Sequence, residues 1–416
     1  MTPTPESLPD APWLTDPATR SVIAALEAAG GPGCARFVGG CVRNGLLARP
    51  VDDIDIATVL TPDQVMAALK TAGIKSVPTG VEHGTVTAIA DGRPFEVTTL
   101  RRDVETDGRR AVVAFTTDWV QDAQRRDFRL NALYMDGAGR IYDPTGQGVS
   151  DALAGRIVFV GQAEQRIRED YLRILRFFRF RAWFGRGAPD AEGVAACAAL
   201  KDGLCRLSAE RVSKELLKLL AAEDPRQAVA EMDRAGVLAE VLPEARSLDR
   251  FVSLVEIEQG HLGMGDAELR FAALLPNDAG VAIEVAHRLR LSNAQRERLA
   301  AAVDPDPQWS SPWDTQDSRT THRLLYRLGS QAFRDQLRLA WASSPSSLRQ
   351  PSLWMPRLAQ AQSWTPPKFP LTGRDASALG LGPGPELGKA LKQAEAYWVE
   401  HDFQPDRAAL IALLKR

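Results

Sequence analysis

One stretch near the N-terminus, residues 37–58 (FVGGCVRNGLLARPVDDIDIAT), constrains the fold more than any other part of the chain. It predicts a short apolar strand, a break at Gly39 and Gly40, a helical turn or two, and a second strand. Side chains on a strand alternate between its two faces, so Asp53 and Asp55 share one face while the isoleucines that alternate with them face the core. Two carboxylates on one strand beside a glycine break suit a metal-bound phosphate.

The glycine break adds phosphate-binding features to this stretch. Glycine lets backbone N–H groups approach a triphosphate closely, and Arg43 on the first turn of the following helix offers a forked donor. Mg²⁺ takes carboxylate oxygens and usually shares a phosphate with the protein. An ordinary strand–turn–helix with a solvated acidic edge is the alternative. The GGCVR group followed ten residues later by DIDIAT favours the metal and triphosphate site.

Composition places the chain among soluble globular proteins. At 416 residues we expect about two to four domains, and 44% hydrophobic and 25% charged residues are ordinary values. The net charge of −2 excludes a chain that is basic throughout, although a local basic face suffices for nucleic acid. The four cysteines form no CxxC pair, which predicts neither a zinc site nor a disulfide framework.

The sequence predicts no membrane contact. No apolar run approaches the roughly 20 residues that span a bilayer. The N-terminus lacks the basic start and the apolar stretch of a secretory signal. We therefore expect a cytoplasmic protein.

The first third of the chain predicts a mixed α/β region with a sheet of about five strands. Asp16-Pro17 and Thr61-Pro62 are typical of helix starts. Short runs rich in Val, Thr and Ile predict strands, and a Gly-containing turn predicts a hairpin. The predicted strands are 35–39, 52–58, 74–78, 84–90, 94–100 and 111–116, with the hairpin at 132–143.

From about Gln162 onward the periodicity predicts helices almost throughout. The segment RIREDYLRILRFFRFRAWFG carries apolar residues at helical spacing, and ERVSKELLKLLAAE predicts a second amphipathic helix. Two proline-rich breaks, 304–313 and 365–370, interrupt the helical pattern.

A polar cluster lies in the segment RRDFRLNA. Arg125, Arg126, Asp127 and Asn131 stand between apolar positions. A salt-bridge cluster at the surface is the alternative to a ligand site here.

The segment EDYLRILRFFR carries the signal for base specificity. A spacing of three places Asp170, Arg173, Arg176 and Arg179 near one face of a helix. Cytosine and adenine each present an amino donor beside a ring-nitrogen acceptor, so a carboxylate next to a guanidinium can bind both, whereas uracil and guanine show the reverse order. Residues 156–186 also hold eight arginines against three acidic residues, which suits triphosphate and RNA. An intrahelical ion pair on a solvated basic face is the alternative.

Taken in order, these motifs resemble those of class II nucleotidyltransferases of the polymerase-β superfamily, the group of bacterial CCA-adding enzymes and poly(A) polymerases. The resemblance covers roughly the first 220 residues, and a weaker similarity to an alphaproteobacterial-type C-terminal segment lies at 369–398. The motifs that follow the opening stretch are VEHGTVTAIA (81–90), FEVTTLRRDV (95–104), QRRDFRLNALYMD (124–136), DPTGQGVSDALAGRI (143–157) and IREDYLRILRFFRFRA (167–182).

The resemblance implies an α+β fold, in which an N-terminal polymerase-β-like nucleotidyltransferase mixed sheet with helices is followed by an all-α C-terminal half. It divides the chain into an N-terminal helical extension (1–33), a catalytic head (34–156), a helical nucleotide-recognition neck (157–225), and a helical tRNA-binding body and tail (226–416).

The resemblance also implies an activity, the template-independent addition of CCA to the 3′ end of tRNA. The substrates are CTP and ATP, the cofactor is Mg²⁺, and pyrophosphate is released. A poly(A) polymerase, or an enzyme that adds only CC or only A, shares these motifs and stays open, as does a catalytically silent RNA-binding relative. No protein partner is implied.

Three carboxylates are the expected catalytic residues. Asp53 and Asp55 are expected to hold the metal. Glu96 is the third candidate because its strand can run beside theirs, and Asp103 competes for this role.

The nucleotide-binding residues follow from the family motifs. Arg126 resembles a triphosphate or base contact, Asp127 is expected to hold Arg126 in place, and Asn131 is expected to contact the ribose. The expected set is Gly39, Gly40, Arg43, Arg126, Asp127, Asn131, Asp170, Arg173, Arg176 and Arg179.

Two positions depart from the family pattern. Asn44 stands where the family usually has an acid after Arg43, and we expect this change to remove a salt bridge or a supporting contact rather than the metal site. Arg129 replaces a commoner small hydroxyl residue and adds positive charge beside the RRD motif.

Overall fold

A computed structural model describes residues 7–8, 10–107, 110–304, 318–379 and 384–415. The chain forms two compact units, Met1–Pro243 and Glu244–Arg416. The first unit carries all the strands of the described residues and the second is helical. This agrees with the predicted α+β fold with a helical C-terminal half. The finer division into four parts stays a prediction.

The strands of the first unit form one mixed sheet and one separate ribbon. They are β1 (Ala35–Val38), β2 (Asp55–Thr58), β3 (Lys75–Gly80), β4 (Thr85–Ala90), β5 (Arg93–Thr99), β6 (Arg101–Asp107), β7 (Arg110–Phe115), β8 (Tyr134–Met135) and β9 (Ile141–Tyr142). The sheet has seven strands in the order β3-β4-β5-β2-β1-β8-β9, and β6 pairs with β7 alone. The strand β2 lies at the centre of the sheet, antiparallel to β1 and parallel to β5.

The prediction of about five strands was too low. The predicted hairpin is present as β8 and β9, which add two short strands to the sheet. The strand β6 was missed because RRDVETD has no apolar alternation. Its partner β7 was predicted as a strand, and it belongs to the ribbon instead of the sheet.

The first helices of this unit pack against the sheet, and the later ones pack against other helices. The helices of the first unit are α1 (Pro12–Thr15), α2 (Pro17–Gly30), α3 (Gly40–Leu46), α4 (Pro62–Thr71), α5 (Trp119–Gln124), α6 (Gly148–Ala154), α7 (Ala163–Glu169), α8 (Leu172–Phe184), α9 (Ala191–Ala199), α10 (Ala209–Leu220), α11 (Arg226–Arg234) and α12 (Val237–Val241). The predicted helix starts are confirmed. The Asp16 side chain accepts a hydrogen bond from the N–H of Ala18 at 2.9 Å, and Thr61 forms a capping box with Gln64.

The long helix predicted through EDYLRILRFFR is broken at Asp170. The helix α7 ends at Glu169, Asp170 has extended backbone angles (φ −154°, ψ 106°), and α8 begins at Leu172. The Asp170 carboxylate accepts a hydrogen bond from the N–H of Leu172 at 3.1 Å. Such local bonds from aspartate side chains compete with helix hydrogen bonding. The prediction that Asp170 shares one helical face with the arginines after it was therefore wrong.

An aromatic cluster packs α8 against the end of the sheet region. Phe128, Phe159, Phe177 and Phe180 are all buried, and the Phe159 and Phe177 rings stack with centroids 5.6 Å apart. The centroids of Phe128 and Phe180 are 5.1 Å apart. Buried aromatic side chains contribute strongly to core stability. The cluster therefore fixes the segment around Phe128 relative to α8.

The second unit consists of helices in its described part. They are α13 (Asp249–Ile257), α14 (Ala267–Ala273), α15 (Ala279–Arg288), α16 (Asn293–Val303), α17 (Ser318–Ser343), α18 (Pro351–Ser363), α19 (Gly373–Ser377), α20 (Pro385–Glu400) and α21 (Arg407–Leu414). The predicted break at 365–370 lies between α18 and α19, whereas most of the predicted break at 304–313 lies outside the described residues. Among the helices described, none combines the length and the apolar character that crossing a bilayer requires.

Candidate active site

Two of the three predicted carboxylates face each other across adjacent strands. Asp55 is the first residue of β2 and pairs in register with Glu96 on β5. Side chains of directly paired residues lie on the same face of a sheet. Asp53 lies just before β2, which is shorter than the predicted strand 52–58, and its side chain is exposed. The isoleucines at 54 and 56 are buried, as predicted.

The electrostatics of Asp55 fit a site for a divalent cation. Burial, the nearby Glu96 carboxylate and Asp53 raise the pKa of Asp55 to about 6, while Arg126 opposes this rise. A cation bound between these carboxylates relieves their mutual repulsion. No three acidic, His or Cys side chains of the described residues are close enough to enclose a metal ion unaided. The carboxylates are the ligand type that hard divalent cations take. The side chain of the rival candidate, Asp103, lies outside the described part of the structure.

The turn between β1 and α3 depends on glycine. Gly39 has φ +71°, where a side chain is strained, and a Cβ atom there would lie 3.7 Å from Nη1 of Arg126. Gly40 is the first residue of α3. The structure thus brings Gly39 next to Arg126, a residue more than eighty positions away in sequence.

Arg43 on α3 is buried and held by two amides. Its Nη1 donates to Oδ1 of Asn131 at 2.5 Å, and its Nε and Nη2 donate to Oδ1 of Asn44 at 3.1 and 2.8 Å. The guanidinium also lies 4.1 Å from the ring centroid of Phe184. Burial lowers the pKa of Arg43 to about 10. Neither of these hydrogen-bonding partners is charged.

Asn44, which stands where the family resemblance implies an acid, keeps a contact to Arg43. Its Oδ1 accepts from the guanidinium, and its Nδ2 donates to the carbonyl of Pro50 at 2.9 Å. A carboxylate could make the first bond but not the second, because it has no donor when ionised. The amide keeps Arg43 in position and leaves its positive charge uncompensated on this side.

Asp122, rather than Asp127, holds Arg126. Oδ2 of Asp122 accepts from Nη2 of Arg126 at 3.0 Å and from the hydroxyl of Tyr134 at 2.7 Å. Oδ1 accepts from Nε of Arg125 at 2.9 Å. Burial opposes ionisation of Asp122, but Arg126 and Arg125 outweigh it and hold its pKa at about 2. The expectation that Asp127 positions Arg126 was wrong.

Asp127 and Asn131 instead connect α3 with α8. The Asp127 carboxylate accepts from Nε of Arg176 at 2.8 Å and from Nδ2 of Asn131 at 3.0 Å. Burial would raise the pKa of Asp127, but Arg176 and Asn131 hold it at about 2. Because Oδ1 of Asn131 receives the Arg43 bond, a hydrogen-bonded chain runs from Arg176 to Arg43.

Arg176 and Arg179 are engaged with protein carboxylates. Arg176 binds Asp127, and Nε of Arg179 donates to Glu215 on α10 at 2.5 Å. Glu215 is itself buried. Both arginines join α8 to its neighbours, and their role in nucleotide binding stays a prediction.

Asp170 and Arg173 have separate partners. Oδ2 of Asp170 accepts from Arg211 on α10 at 2.7 Å. Nη1 of Arg173 donates to Glu169 at 2.6 Å and to the carbonyl of Arg166 at 2.8 Å, while Nη2 donates to the carbonyl of Arg125 at 3.0 Å. Asp170 lies in the break between α7 and α8, Arg173 lies in the first turn of α8, and the two side chains do not pair with each other.

Two segments of the chain match known protein families. Residues 35–158 match the poly A polymerase head domain. Residues 189–248 match the probable RNA and SrmB-binding site of polymerase A. The first match contains the β1–α3 turn, the three carboxylates and Arg126.

Relatives of known function align over nearly the whole chain. The mitochondrial CCA tRNA nucleotidyltransferase 1 of Mus musculus is 31% identical, with 92% of this chain and 86% of that protein covered. The CCA-adding enzyme of Lacticaseibacillus paracasei is 32% identical, with 92% of each covered.

The chain belongs to the CCA tRNA nucleotidyltransferase family.

The fold agrees with solved members of this family. The CCA-adding enzyme of Bacillus stearothermophilus in complex with CTP has a TM-score of 0.76 and 28% identity, with 96% of this chain and 97% of that chain covered. The Thermotoga maritima CCA-adding enzyme complexed with tRNA shares the fold with a TM-score of 0.66 at 18% identity. CCA tRNA nucleotidyltransferases use divalent metal ions, in agreement with the carboxylates on β2 and β5.

Four supporting residues of this family member were not found from sequence. Asp122 and Tyr134 hold Arg126, Glu169 holds Arg173, and Arg211 binds Asp170. Glu169 gave a signal, since it precedes Arg173 by four residues on a predicted helix. Tyr134 and Arg211 gave none, because their contacts join segments that are distant in sequence.

Proposed function

We propose that this protein adds CCA to the 3′ end of tRNA, using CTP and ATP with Mg²⁺ and releasing pyrophosphate. One observation carries the proposal. In a chain that aligns with CCA tRNA nucleotidyltransferases over 92% of its length, Asp55 and Glu96 are paired on adjacent strands, with Arg126 close enough to offset part of the rise in the pKa of Asp55. In this assignment residues 34–156 carry the transfer reaction, 157–225 select the base, and 226–416 bind the RNA. The cytoplasmic location stays a prediction, since relatives include mitochondrial enzymes.

Asp53 and Asp55 would hold Mg²⁺, with Glu96 as the third carboxylate. When bound there, the ion lowers the pKa of the attacking 3′-hydroxyl and offsets charge on the leaving pyrophosphate. The protein supplies the rigid strand β2, whose buried isoleucine fixes the direction of the Asp55 side chain. Such an arrangement needs no dedicated protein base.

Arg43 and Arg126 are assigned to the triphosphate. Arg126 is held by the buried pair of Asp122 and Tyr134, and Arg43 by Asn44 and Asn131. Preorganised cations stabilise charge that develops in the transition state without having to move during the reaction. The absence of a side chain at Gly39 gives the triphosphate room beside Arg126.

Asp170 and Arg173 are assigned to the base. Glu169 and two backbone carbonyls occupy both Nη1 hydrogens and one Nη2 hydrogen of Arg173. Nε has no acceptor among the described residues, and Nη2 carries one hydrogen more than its bond to the Arg125 carbonyl uses. These donors can reach a ring nitrogen while Asp170 accepts from the neighbouring amino group, the pattern shared by cytosine and adenine.

An incorporation assay tests the proposed function. Purified protein is incubated with tRNA that lacks its 3′ CCA, with Mg²⁺, and with each nucleoside triphosphate alone or in combination. We expect two C residues with CTP alone and a complete CCA with CTP and ATP together. Long A tails on unrelated RNA would instead indicate a poly(A) polymerase, and arrest after CC would indicate a partial enzyme.

Replacing Asp122 with asparagine tests how Arg126 is positioned. We expect kcat/KM for CTP to fall by about 100-fold, because the amide cannot accept bonds from both guanidiniums at full strength and the buried arginines lose their counter-charge. Tyr134→Phe removes one neutral donor from the same oxygen, and we expect a loss of less than about tenfold. Steady-state kinetics with CTP as the varied substrate measure both variants. Wild-type kcat/KM in Asp122→Asn would refute the positioning role.

A further inference from the structure

The residue between Asp170 and the start of α8 packs directly against a glycine. Tyr171 precedes α8, and its ring lies against Gly203, which is buried in a short 3-10 helix, Lys201–Arg206. A Cβ atom at Gly203 would lie 1.9 Å from Cε1 and 2.0 Å from Cδ1 of Tyr171. Carbon atoms in contact are about 3.5–4.0 Å apart. The ring can therefore occupy this place only because position 203 has no side chain.

Rotation of the ring would not make room for a side chain at Gly203. The Cζ atom of Tyr171 lies on the axis about which the ring rotates, and a Cβ atom at Gly203 would be 2.5 Å from it. An alanine would therefore displace the whole ring, or the 3-10 helix, by roughly 1 Å or more. Such a displacement acts on the backbone of the break between α7 and α8, to which the ring is attached.

The 3-10 helix that carries Gly203 is anchored on its own side. The N–H of Gly203 donates to the carbonyl of Leu200 at 3.0 Å, and the neighbouring Leu204 is buried. The guanidinium carbon of Arg206 lies 5.3 Å from the centroid of the Tyr171 ring, within the range of a cation–π contact. Two residues of this short helix thus hold the ring.

The following residues of the same segment hold Asp170. Arg211, in the first turn of α10, donates to Oδ2 of Asp170 at 2.7 Å, and the N–H of Leu172 donates to Oδ1 at 3.1 Å. A carboxylate offers about four acceptor positions, so both oxygens can still accept from a base. Asp170 is extended whereas Tyr171 is helical (φ −60°, ψ −18°), so the place of the ring and the direction of the carboxylate depend on one sharp turn of the backbone.

We propose that Gly203 and Tyr171 are positioning residues for base selection. The ring of Tyr171, packed against Gly203, fixes the backbone of the break and thereby directs the Asp170 carboxylate towards the base. The proposal rests on the proposed function, which assigns Asp170 and Arg173 to the base. A misplacement of about 1 Å can cost about 100-fold in rate. A displaced carboxylate loses its bond to the amino group of cytosine, and uracil has no such group to lose.

The test compares Gly203→Ala with Tyr171→Ala, with the double variant and with the control Gly80→Ala. At Gly80 the backbone is extended (φ −172°), and a Cβ atom would lie 3.6 Å from Cβ of Thr85, an ordinary contact. CTP and UTP compete at equal concentration for incorporation into CCA-less tRNA. We expect the ratio of C to U incorporation to fall about tenfold in Gly203→Ala and in Tyr171→Ala. Loss of folded protein alone would lower both incorporations and leave this ratio unchanged.

The double variant shows whether Gly203 acts through the ring. Once Tyr171→Ala has removed the ring, Gly203→Ala should lower the ratio no further, because the overlap no longer exists. A further fall by the same factor would overturn the proposal, as would an unchanged ratio in Gly203→Ala or an equal fall in Gly80→Ala.

Tyr171→Ala decides the matter where Gly203→Ala fails to fold, because it removes atoms and creates no overlap. An unchanged ratio in Tyr171→Ala would then overturn the proposal. Lack of C addition by the wild-type protein would refute the proposed function, whereas wild-type C addition with an unchanged ratio in these variants would refute the positioning role alone.

Discussion

Asp55→Asn is expected to lower kcat for CMP incorporation by about 10³-fold and at the same time to stabilise the metal-free protein. The loss of rate follows because the amide is a poor ligand for a hard cation, whose contribution to the transition state is worth several kcal/mol. Single-turnover incorporation into CCA-less tRNA measures the rate, and urea denaturation without Mg²⁺ measures the free energy of unfolding.

The gain in stability has a defined sign. The pKa of Asp55 is raised from 3.8 to about 6 in the folded protein, so folding favours the protonated form. Stability from this group is fully present below pH 3.8 and is lost as the pH rises through 6. Near pH 7.5 the neutral asparagine avoids this loss, which is on the order of 2 kcal/mol.

Asp52→Asn is the matched control, because Asp52 is an exposed neighbour that stands outside the proposed site. It should change neither the rate nor the free energy of unfolding appreciably. Wild-type kcat in Asp55→Asn would exclude Asp55 as a metal ligand. Loss of rate together with a clear loss of stability would point to a structural role instead.

Arg173→Lys is expected to lower kcat/KM for both CTP and ATP by about 30-fold, in the range of one lost charge-assisted hydrogen bond. Lysine keeps the charge but not the planar fork, so it cannot bind Glu169 and the two carbonyls and still present an edge to the base. Discrimination against UTP should shrink by a similar factor, because the side chain at position 173 no longer donates a hydrogen bond to the ring nitrogen of the base. Competition between CTP and UTP at equal concentration measures this ratio.

Arg168→Lys is the control for this variant, since Arg168 is an exposed arginine on α7 that pairs with Glu164. It should leave the ratio of CTP to UTP incorporation unchanged. An unchanged ratio in Arg173→Lys as well would remove Arg173 from base selection and leave it as a structural link between α7 and α5.

The centre of the fold could be predicted from sequence because its signals are local. The glycine pair, the alternation around Asp53 and Asp55, and the strand of Glu96 each lie within a few residues, and the structure brings Asp55 and Glu96 together as expected. The same holds for the helix caps at Asp16 and Thr61. Local hydrogen bonds and side-chain alternation depend only on neighbouring residues.

Most partners of the charged residues could not be predicted, because they are set by tertiary contacts. The pairing of Arg126 with Asp122, four residues before it, has helical spacing, but the sequence does not show that Tyr134 shares the same carboxylate. Arg176 has the spacing of a ligand-facing residue but binds Asp127, 49 positions away. The break at Asp170 was hidden by an apolar pattern that continues on both sides of it.

The chain of hydrogen bonds from Arg43 through Asn131 and Asp127 to Arg176 has a thermodynamic consequence. Arg176 also lies 4.0 Å from Glu215 on α10, so two helices and the β1–α3 turn share one set of bonds. If a ligand bound near Arg43 favours one arrangement of these hydrogen bonds, that arrangement must in turn favour binding of the ligand by an equal free energy. Substrate affinity at the glycine turn and the local order of α10 are therefore linked quantities.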